Sequence, residues 1–264
     1  MQMKIKVVIG LTVTAWALLT LDAVRAQEFG YFGDIGPAHW GELSPDWAIC
    51  GSGEMQSPVD FAQFPHHPQP PRRLSIDYGT TTGEIFNNGH TIEVETIGNN
   101  TLTLDGVVYE LVQFHFHTAS EHRVKNHGFD MEMHLVHQSA DGSYAVIGVF
   151  LERGTSSGAL APIFENLPDD IDVNHHLETP FDPATFLPSS RHLYRYVGSL
   201  TTPPCTEGVQ WIVMTEPVTV SDEDMAQFAE RIHFNARQVQ RTLGKRHPTK
   251  LGVLDGTDQS PTAE

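Results

Sequence analysis

The chain of 264 residues is poor in cysteine, in basic residues and in long apolar stretches. Its two cysteines are too few for a small disulfide-built domain or for a structural zinc site made of thiolates. Lysine and arginine total 16 against 33 acidic residues, and the formal charge of −17 argues against nucleic-acid binding, because such a surface repels phosphate. Beyond position 26 no apolar stretch reaches membrane-spanning length, so no membrane anchor is expected.

The beginning of the chain has the features of an export signal. Lys4 and Lys6 precede a mostly apolar stretch from Val7 to Leu21, and Val24-Arg25-Ala26 resembles a signal-peptidase cleavage site. We therefore expect residues 1–26 to be a signal peptide and the mature protein to be periplasmic or secreted. Its removal would change the formal charge to −19, which we interpret as a determinant of solubility.

The remainder of the chain is expected to form one domain over residues 27–254, followed by a disordered tail over residues 255–264. No repeat and no change of composition marks an internal linker. Cys50 and Cys205 would meet an oxidising compartment after export, which favours a single disulfide, and two free thiols are the alternative.

Alternation of apolar and polar residues predicts a β-rich domain. Ile92 and Val94 alternate with polar neighbours, and Asp105-Gly106 is a strong hairpin signal between two strand-like segments. Ser143 to Leu151 is a nearly continuous apolar run, as in a strand buried on both faces. One helix is predicted to start at Ser221, where apolar residues begin to recur at helical spacing.

Two short segments carry the chemistry. In an extended strand, residues two apart project to the same face, so His115 and His117 point together with Gln113. In the second segment Glu132 and His134 share a face. Pairing of the two strands would bring three imidazoles to one point with an open fourth position, which is typical of a catalytic zinc site. Histidines packed in a core or lying on a surface are the alternative that this spacing leaves open.

At these residues the sequence resembles the α-class carbonic anhydrases, and specifically the exported bacterial kind. The matching motifs occur in the family's order over about residues 29–250. They are Phe29-Gly30-Tyr31, Gly36-Pro37-Ala38-His39-Trp40-Gly41, Gln56-Ser57-Pro58-Val59-Asp60, Asn87-Asn88-Gly89-His90, Gln113-Phe114-His115-Phe116-His117, Ser120-Glu121-His122, Glu132-Met133-His134-Leu135-Val136-His137, Gly198-Ser199-Leu200-Thr201-Thr202-Pro203-Pro204 and Asn235-Ala236-Arg237. The resemblance implies a mainly β, single-domain catalytic fold with a large, mostly antiparallel, twisted central sheet and short surface helices.

The resemblance also implies an activity, which is the reversible hydration of carbon dioxide to bicarbonate and a proton. It implies one zinc ion per chain, held by His115, His117 and His134. Carbonic anhydrase is itself the standard example of this chemistry, in which zinc lowers the pKa of bound water to about 7 and a zinc-bound hydroxide attacks the substrate. Weak esterase activity would be a side reaction of the same hydroxide.

By the same resemblance, three groups orient the ligands. They are the side chains of Gln113 and Glu132 and the backbone carbonyl of Asn235. Thr201 is implied to accept a hydrogen bond from the hydroxide and to donate one to Glu121, which aims an oxygen lone pair at the substrate.

Carbon dioxide has no strong hydrogen-bonding group, so its site must be apolar. The family's hydrophobic pocket is matched by Val136, Val146, Leu200, Val209 and Trp211, although core packing explains each of these residues equally well.

Proton removal and solvent order are assigned by the resemblance to four further residues. His90 matches the family's proton shuttle, and an exposed imidazole titrates near neutral pH, as that role requires. Asn88 and Tyr31 would help to order the waters. Thr202 would contribute to the water chain or contact bicarbonate.

Other functions remain open on the sequence alone. A catalytically silent relative would have lost one or more zinc ligands, and all three are present. A dedicated ester hydrolase is a second alternative. A third is metal buffering by the 15 histidines, which are scattered rather than clustered in one tract. The sequence favours neither a monomer nor a homodimer, because it shows no recognisable interface. The expected partner is the small-molecule substrate.

Overall fold

The structure is a computed structural model and describes residues 28–63, 74–156, 158–241 and 250–253. Over these residues the chain forms twelve strands. They are β1 (Leu74–Asp77), β2 (Thr82–Asn87), β3 (Ile92–Ile97), β4 (Thr101–Leu104), β5 (Val107–Thr118), β6 (Met131–Ser139), β7 (Tyr144–Arg153), β8 (His175–His176), β9 (His192–Ser199), β10 (Glu207–Met214), β11 (Val218–Val220) and β12 (Lys250–Val253).

The helices of the described residues are short. The α-helices are α1 (Trp40–Leu43), α2 (Ile49–Ser52), α3 (Ala161–Phe164) and α4 (Asp222–Arg231), and 3-10 turns span Gly33–Ile35, Pro45–Trp47, Phe61–Gln63 and Pro183–Phe186. Helix α4 starts where the sequence predicts, because the Ser221 hydroxyl caps its first turn by accepting a hydrogen bond from the Asp224 amide at 3.1 Å. None of the described helices is long and apolar enough to cross a membrane.

All twelve strands of the described chain belong to one sheet. The order along its main path is β12-β9-β10-β7-β6-β5-β3-β2-β8, with β1, β4 and β11 attached beside it. The β7–β10 and β7–β11 pairs are parallel and every other strand pair is antiparallel. This confirms the predicted fold class, a single domain built on a large, mostly antiparallel sheet with short helices.

The two faces of the sheet bury different sets of side chains. Below the central strands, Phe114 and Phe116 of β5 are fully buried in the main apolar core, together with residues of α3 and α4 such as Phe164 and Phe228. A second apolar cluster, which includes Trp211, lies apart from this core. Five polar residues lie on the sheet face opposite the main core, namely Gln113, His115 and His117 of β5 and Glu132 and His134 of β6.

A register shift decides which face of β5 those polar residues occupy. Leu111 pairs with His137, whereas Gln113 pairs with Val136, so Val112 is an extra residue on β5. Before this bulge Leu111 belongs to the main core, and after it the core residues are Phe114 and Phe116. The bulge therefore shifts the alternation by one residue and turns the histidines that follow away from the core.

The predicted disulfide is present. Cys50 and Cys205 are joined with a Cα–Cα distance of 5.1 Å, and both are buried beside Trp40. The loop that they close spans 155 residues, so the chain-entropy contribution to stability has an upper value of roughly 5 kcal/mol.

The predicted signal peptide over residues 1–26 and the predicted tail over residues 255–264 lie outside the described residues.

His137 forms an unusual polar pair within the main core. It is fully buried, its Nδ1 is 3.2 Å from the Ala145 carbonyl oxygen, and its Nε2 makes a short hydrogen bond with the Tyr78 hydroxyl. Donation by Nδ1 to the carbonyl leaves Nε2 as the acceptor for Tyr78, which is the neutral form of the ring. Burial lowers the pKa of His137 to about 4, partly offset by backbone hydrogen bonds.

We expect His137 to make the metal-free protein acid-sensitive. The pKa of His137 is lower in the folded protein than in the unfolded chain, where it is about 6.5, and above that pH the difference does not reduce the free energy of unfolding. As the pH falls from 6.5 toward 4, stability is lost, because only the unfolded chain takes up the proton. The loss should approach roughly 3 kcal/mol. Urea unfolding between pH 7 and 4 should show a shallower pH dependence for His137→Gln and an unchanged one for His233→Gln, which alters an exposed histidine. Equal slopes for all three proteins would contradict the assignment.

Candidate metal centre

Three histidines converge on the sheet face opposite the main core. His115 lies directly across from His134 in the antiparallel β5–β6 pair, and His117 follows His115 by one strand period. The ring centroids are 5.0 Å apart for His115 and His117, 5.3 Å for His115 and His134, and 4.5 Å for His117 and His134. One ring nitrogen from each lies within 4.8 Å of the other two. The strand pairing expected from the sequence therefore brings the three imidazoles together.

The other nitrogen of each ring is held by a hydrogen bond. His115 Nδ1 is 2.8 Å from Gln113 Oε1, His117 Nδ1 is 2.9 Å from the backbone oxygen of Asn235, and His134 Nε2 is 2.9 Å from Glu132 Oε1. Each of these acceptors requires a proton on its partner nitrogen. The nitrogens left with a lone pair are therefore Nε2 of His115, Nε2 of His117 and Nδ1 of His134.

The environment favours the neutral imidazoles that metal ligands must be. Burial lowers the pKa of His115 well below its usual value, and the neighbouring His117 and His134 lower it further. Burial also lowers the pKa of His134, with His117 adding to the effect and Glu132 opposing it.

The carboxylate of Glu132 is the most heavily hydrogen-bonded group of the site. Its Oε1 accepts hydrogen bonds from His134 and, at 2.7 Å, from Nδ1 of His122. Its Oε2 accepts hydrogen bonds from the backbone amides of Glu121 and His122 at 3.0 and 2.8 Å. Burial would raise the pKa of Glu132, but the interactions with His122 and His134 outweigh it, and the pKa lies well below its usual value. A Cβ atom at Gly148 would lie 3.1 Å from Oε1, so glycine leaves room for this carboxylate.

His122 was not expected from the sequence to take part in the site, yet it extends this network. Its Nε2 is 2.6 Å from the Tyr196 hydroxyl, which is 2.7 Å from Ser57 Oγ. His122, Glu132 and His134 also have donor atoms close enough to hold a metal, but hydrogen bonds among them already occupy those atoms. Partners so far apart along the chain leave no local pattern, so only the three-dimensional structure could reveal them.

One buried atom indicates that the three-histidine cluster fits a metal ion. Nε2 of His117 has no hydrogen-bond partner among the described residues, although the ring is 1% exposed. Leaving such an atom unpaired costs about 1–3 kcal/mol, and a metal ion would satisfy it. Three imidazole donors, with no fourth His, Cys, Asp or Glu ligand grouped with them among the described residues, suit a catalytic zinc site.

Glu121 lies beside the cluster. Its Oε1 accepts a hydrogen bond from the Arg237 amide at 2.8 Å, and its Oε2 is 3.6 Å from His117 Nε2. Within the described part of the chain Oε2 has no hydrogen-bond partner, so the expected bond from Thr201 is not formed in this structure. Thr201 is buried in the tight loop that follows β9, where the Cys205 amide donates to the Thr202 carbonyl at 2.8 Å.

The residues assigned to substrate binding lie together next to the histidines. Val136, Val146, Val209 and Trp211 are buried in one apolar cluster, and Leu200 packs against it. Trp211 and His134 have ring centroids 4.8 Å apart, which connects this cluster to the metal ligands. Thr202 is partly exposed in the adjoining loop.

His90 lies in the β2–β3 loop and is half-buried. Its ring stacks on Phe29 with centroids 4.0 Å apart, and its carbonyl accepts a hydrogen bond from the Asn235 side chain at 2.9 Å. Burial lowers the pKa of His90, and the charge of Glu28 opposes the shift. Tyr31 packs against the same Phe29, and burial, followed by the charge of Glu121, raises the pKa of its hydroxyl.

Asn88 is tied into the same loop. Its side-chain oxygen accepts hydrogen bonds from the amides of His90 and Thr91 at 3.0 and 2.8 Å, and its side-chain nitrogen donates to Glu93 at 3.3 Å. The pKa of Glu93 is raised to about 7, first by burial and then by the charge of Glu95, while the hydrogen bond from Asn88 opposes the shift.

Residues 154–158 match the G-x-S-x-G pattern of serine esterases, but their setting does not suit a nucleophile. Among the described residues, Ser156 Oγ accepts a hydrogen bond from the Gly158 amide at 3.1 Å and forms no hydrogen bond with a histidine. The pattern needs a general base beside the serine, so it does not support a serine hydrolase here.

Comparison with known proteins identifies relatives over most of the chain. The family model described as eukaryotic-type carbonic anhydrase matches residues 35–251. A carbonic anhydrase from Pectobacterium atrosepticum is 39% identical over 230 residues, which cover 87% of this chain and 93% of the relative.

Two solved structures share the fold. The α-carbonic anhydrase from Thermovibrio ammonificans in complex with the inhibitor sulfanilamide has a TM-score of 0.80 at 38% identity and covers 86% of this chain and 100% of its own. Dioscorin complexed with ascorbate has a TM-score of 0.78 at 30% identity, with 87% of this chain and 100% of its own covered.

We expect Glu132→Gln to weaken metal binding by about 10- to 100-fold, because an amide cannot accept all four hydrogen bonds and loses its hold on His134. Competition with a chromophoric zinc chelator would measure the affinity. Glu110→Gln, which alters an exposed carboxylate of β5, is the matched control and should bind zinc like the parent. Unchanged affinity in a folded Glu132→Gln protein would contradict the proposed orienting role.

Proposed function

We propose that this chain hydrates carbon dioxide with one zinc ion held by His115, His117 and His134. It belongs to the eukaryotic-type, or α-class, carbonic anhydrase family. The observation that carries the zinc assignment is the set of three hydrogen bonds that leave one lone pair on each ring, together with ring nitrogens that lie within 4.8 Å of one another. When bound, zinc would lower the pKa of a water molecule to about 7 and so supply a nucleophile at neutral pH, for which carbonic anhydrase is the standard example.

The protein's own groups would orient this nucleophile. The Arg237 amide holds one oxygen of Glu121 and leaves Oε2 without a partner among the described residues. In the working enzyme the Thr201 hydroxyl would donate its proton to Oε2. Its oxygen could then act only as an acceptor, which would orient the nucleophile toward the substrate.

Substrate would bind on the apolar cluster beside His134. Carbon dioxide would contact an apolar surface without competing hydrogen-bond donors, formed by Val136, Val146, Val209 and Trp211 together with Leu200. Thr202 at the adjoining loop would contact bicarbonate or the waters that follow it.

His90 would carry the released proton to buffer, and Asn88 and Tyr31 would order the intervening waters. The lowered pKa of His90 keeps its ring neutral and able to accept a proton near neutral pH.

We further propose that residues 1–26 are removed on export and that residues 27–254 form the catalytic domain. The mature protein would act in the periplasm or outside the cell, as a monomer or homodimer. Activated esters would be poor alternative substrates of the same nucleophile.

Stopped-flow hydration of carbon dioxide on the mature, disulfide-bonded protein tests the proposal when zinc content is determined on the same sample. We expect one zinc per chain and fast hydration, with both lost in His134→Ala and kept in His233→Ala, which alters an exposed histidine. Bound zinc without hydration would instead indicate a catalytically silent relative.

The role of His90 can be separated from that of the metal ligands. We expect His90→Ala to lower the maximal rate about tenfold or more in dilute buffer, while kcat/KM for carbon dioxide stays unchanged, because proton removal follows the chemical step. Added imidazole should restore the rate. His39→Ala, at another exposed histidine, should behave like the parent. A parental maximal rate in His90→Ala would remove the shuttle role.

A further inference from the structure

We propose that Glu93 is a specificity-determining residue, which weakens the binding of small inorganic anions at the metal centre while leaving access of the neutral substrate unchanged. This inference rests on the proposed zinc-dependent function, because anions would compete at the metal.

The sheet register places Glu93 beside the metal ligands. In the antiparallel β3–β5 pair, Glu93 lies directly opposite His115. Directly opposed residues of antiparallel strands project to the same face, with Cβ atoms about 4.5–5.5 Å apart. The neighbours Ile92 and Val94 are both fully buried in the main core, so the Glu93 side chain lies on the opposite face, which is that of the histidines.

Hydrogen bonding fixes the carboxylate in this place. Asn88 donates to Glu93 Oε2, and the oxygen of the same amide is held by the backbone of His90 and Thr91. The carboxylate is thus anchored to the loop that carries the proposed proton shuttle. It is part-buried, which distinguishes it from Glu95, an exposed carboxylate two residues along the same strand face.

The charge of Glu93 is not neutralised by its surroundings. No lysine or arginine within the described ranges forms an ion pair with it. The carboxylate whose charge acts on it is Glu95, which has the same sign. At pH 8.5 the Glu93 carboxylate beside His115 therefore carries a negative charge, which solvent screens incompletely because the group is part-buried.

This charge distinguishes between the molecules that approach the metal. An anion entering the site is repelled, whereas carbon dioxide has no net charge and is not. The Glu93 carboxylate and a bound anion would lie roughly one or two side-chain widths apart, with an effective dielectric constant between those of protein and water. The expected change in the anion's dissociation constant is then about two- to tenfold.

The test is titration calorimetry of thiocyanate into the zinc-loaded mature protein at pH 8.5 and low ionic strength. Glu93→Gln keeps the shape of the side chain, which can still accept a hydrogen bond from Asn88. We expect this variant to bind thiocyanate about two- to tenfold more tightly than the parent. Glu93→Asp keeps the charge and should stay near the parental value. Glu95→Gln removes an exposed charge from the same strand and should change the affinity by less than about twofold.

A second measurement separates this inference from the proposed function. The value of kcat/KM for carbon dioxide should be the same in all four proteins at this pH, and the effect of Glu93→Gln on thiocyanate should shrink in 0.5 M sodium sulfate. A parent protein without zinc or without hydration would overturn the proposed function. An active parent whose Glu93→Gln variant binds thiocyanate no more tightly would overturn the role of Glu93 alone.

Discussion

The position of the bulge in β5 is the constraint on which the rest of the site depends. One extra residue, Val112, shifts the strand's alternation so that Phe114 and Phe116 enter the main core and the histidines between and after them face the other side. Because side chains alternate with a period of two, a strand paired without this shift would bury His115 and His117 among apolar residues. The cost of burying two imidazoles without partners therefore helps to fix the register itself.

From this register follows the network that holds the ligands. Glu132 lies across from His117 and spans from His134 to His122, so that one carboxylate connects a candidate ligand to the buried Tyr196 and Ser57. Asn235 serves a similar purpose at the other side. Its backbone holds His117, and its side chain holds the backbone of Thr118 and of His90. The metal ligands and the proposed shuttle loop are thus positioned by shared groups rather than independently.

Local alternation was enough to predict which residues of β5 and β6 lie on the same face of the sheet, because the segment from Gln113 to His117 lies wholly beyond the bulge. The Asp105–Gly106 hairpin was also legible, since both residues adopt the positive φ angles that this dipeptide favours. The bulge was not predicted, because an exposed valine within a strand carries no distinctive signal. His122 and Glu93 were missed for a different reason. Their roles depend on partners in other strands, and only the assembled sheet places His122 against Tyr196 and Glu93 against His115.

Hydrogen bonds that the three histidines donate to Gln113, Asn235 and Glu132 would select which nitrogen of each ring binds zinc. Anomalous diffraction at the zinc absorption edge, from crystals of the zinc-loaded mature protein, tests it most directly. We expect a single peak bonded to Nε2 of His115, Nε2 of His117 and Nδ1 of His134. A peak bonded to other nitrogens, or one located at His122 and Glu132, would contradict it.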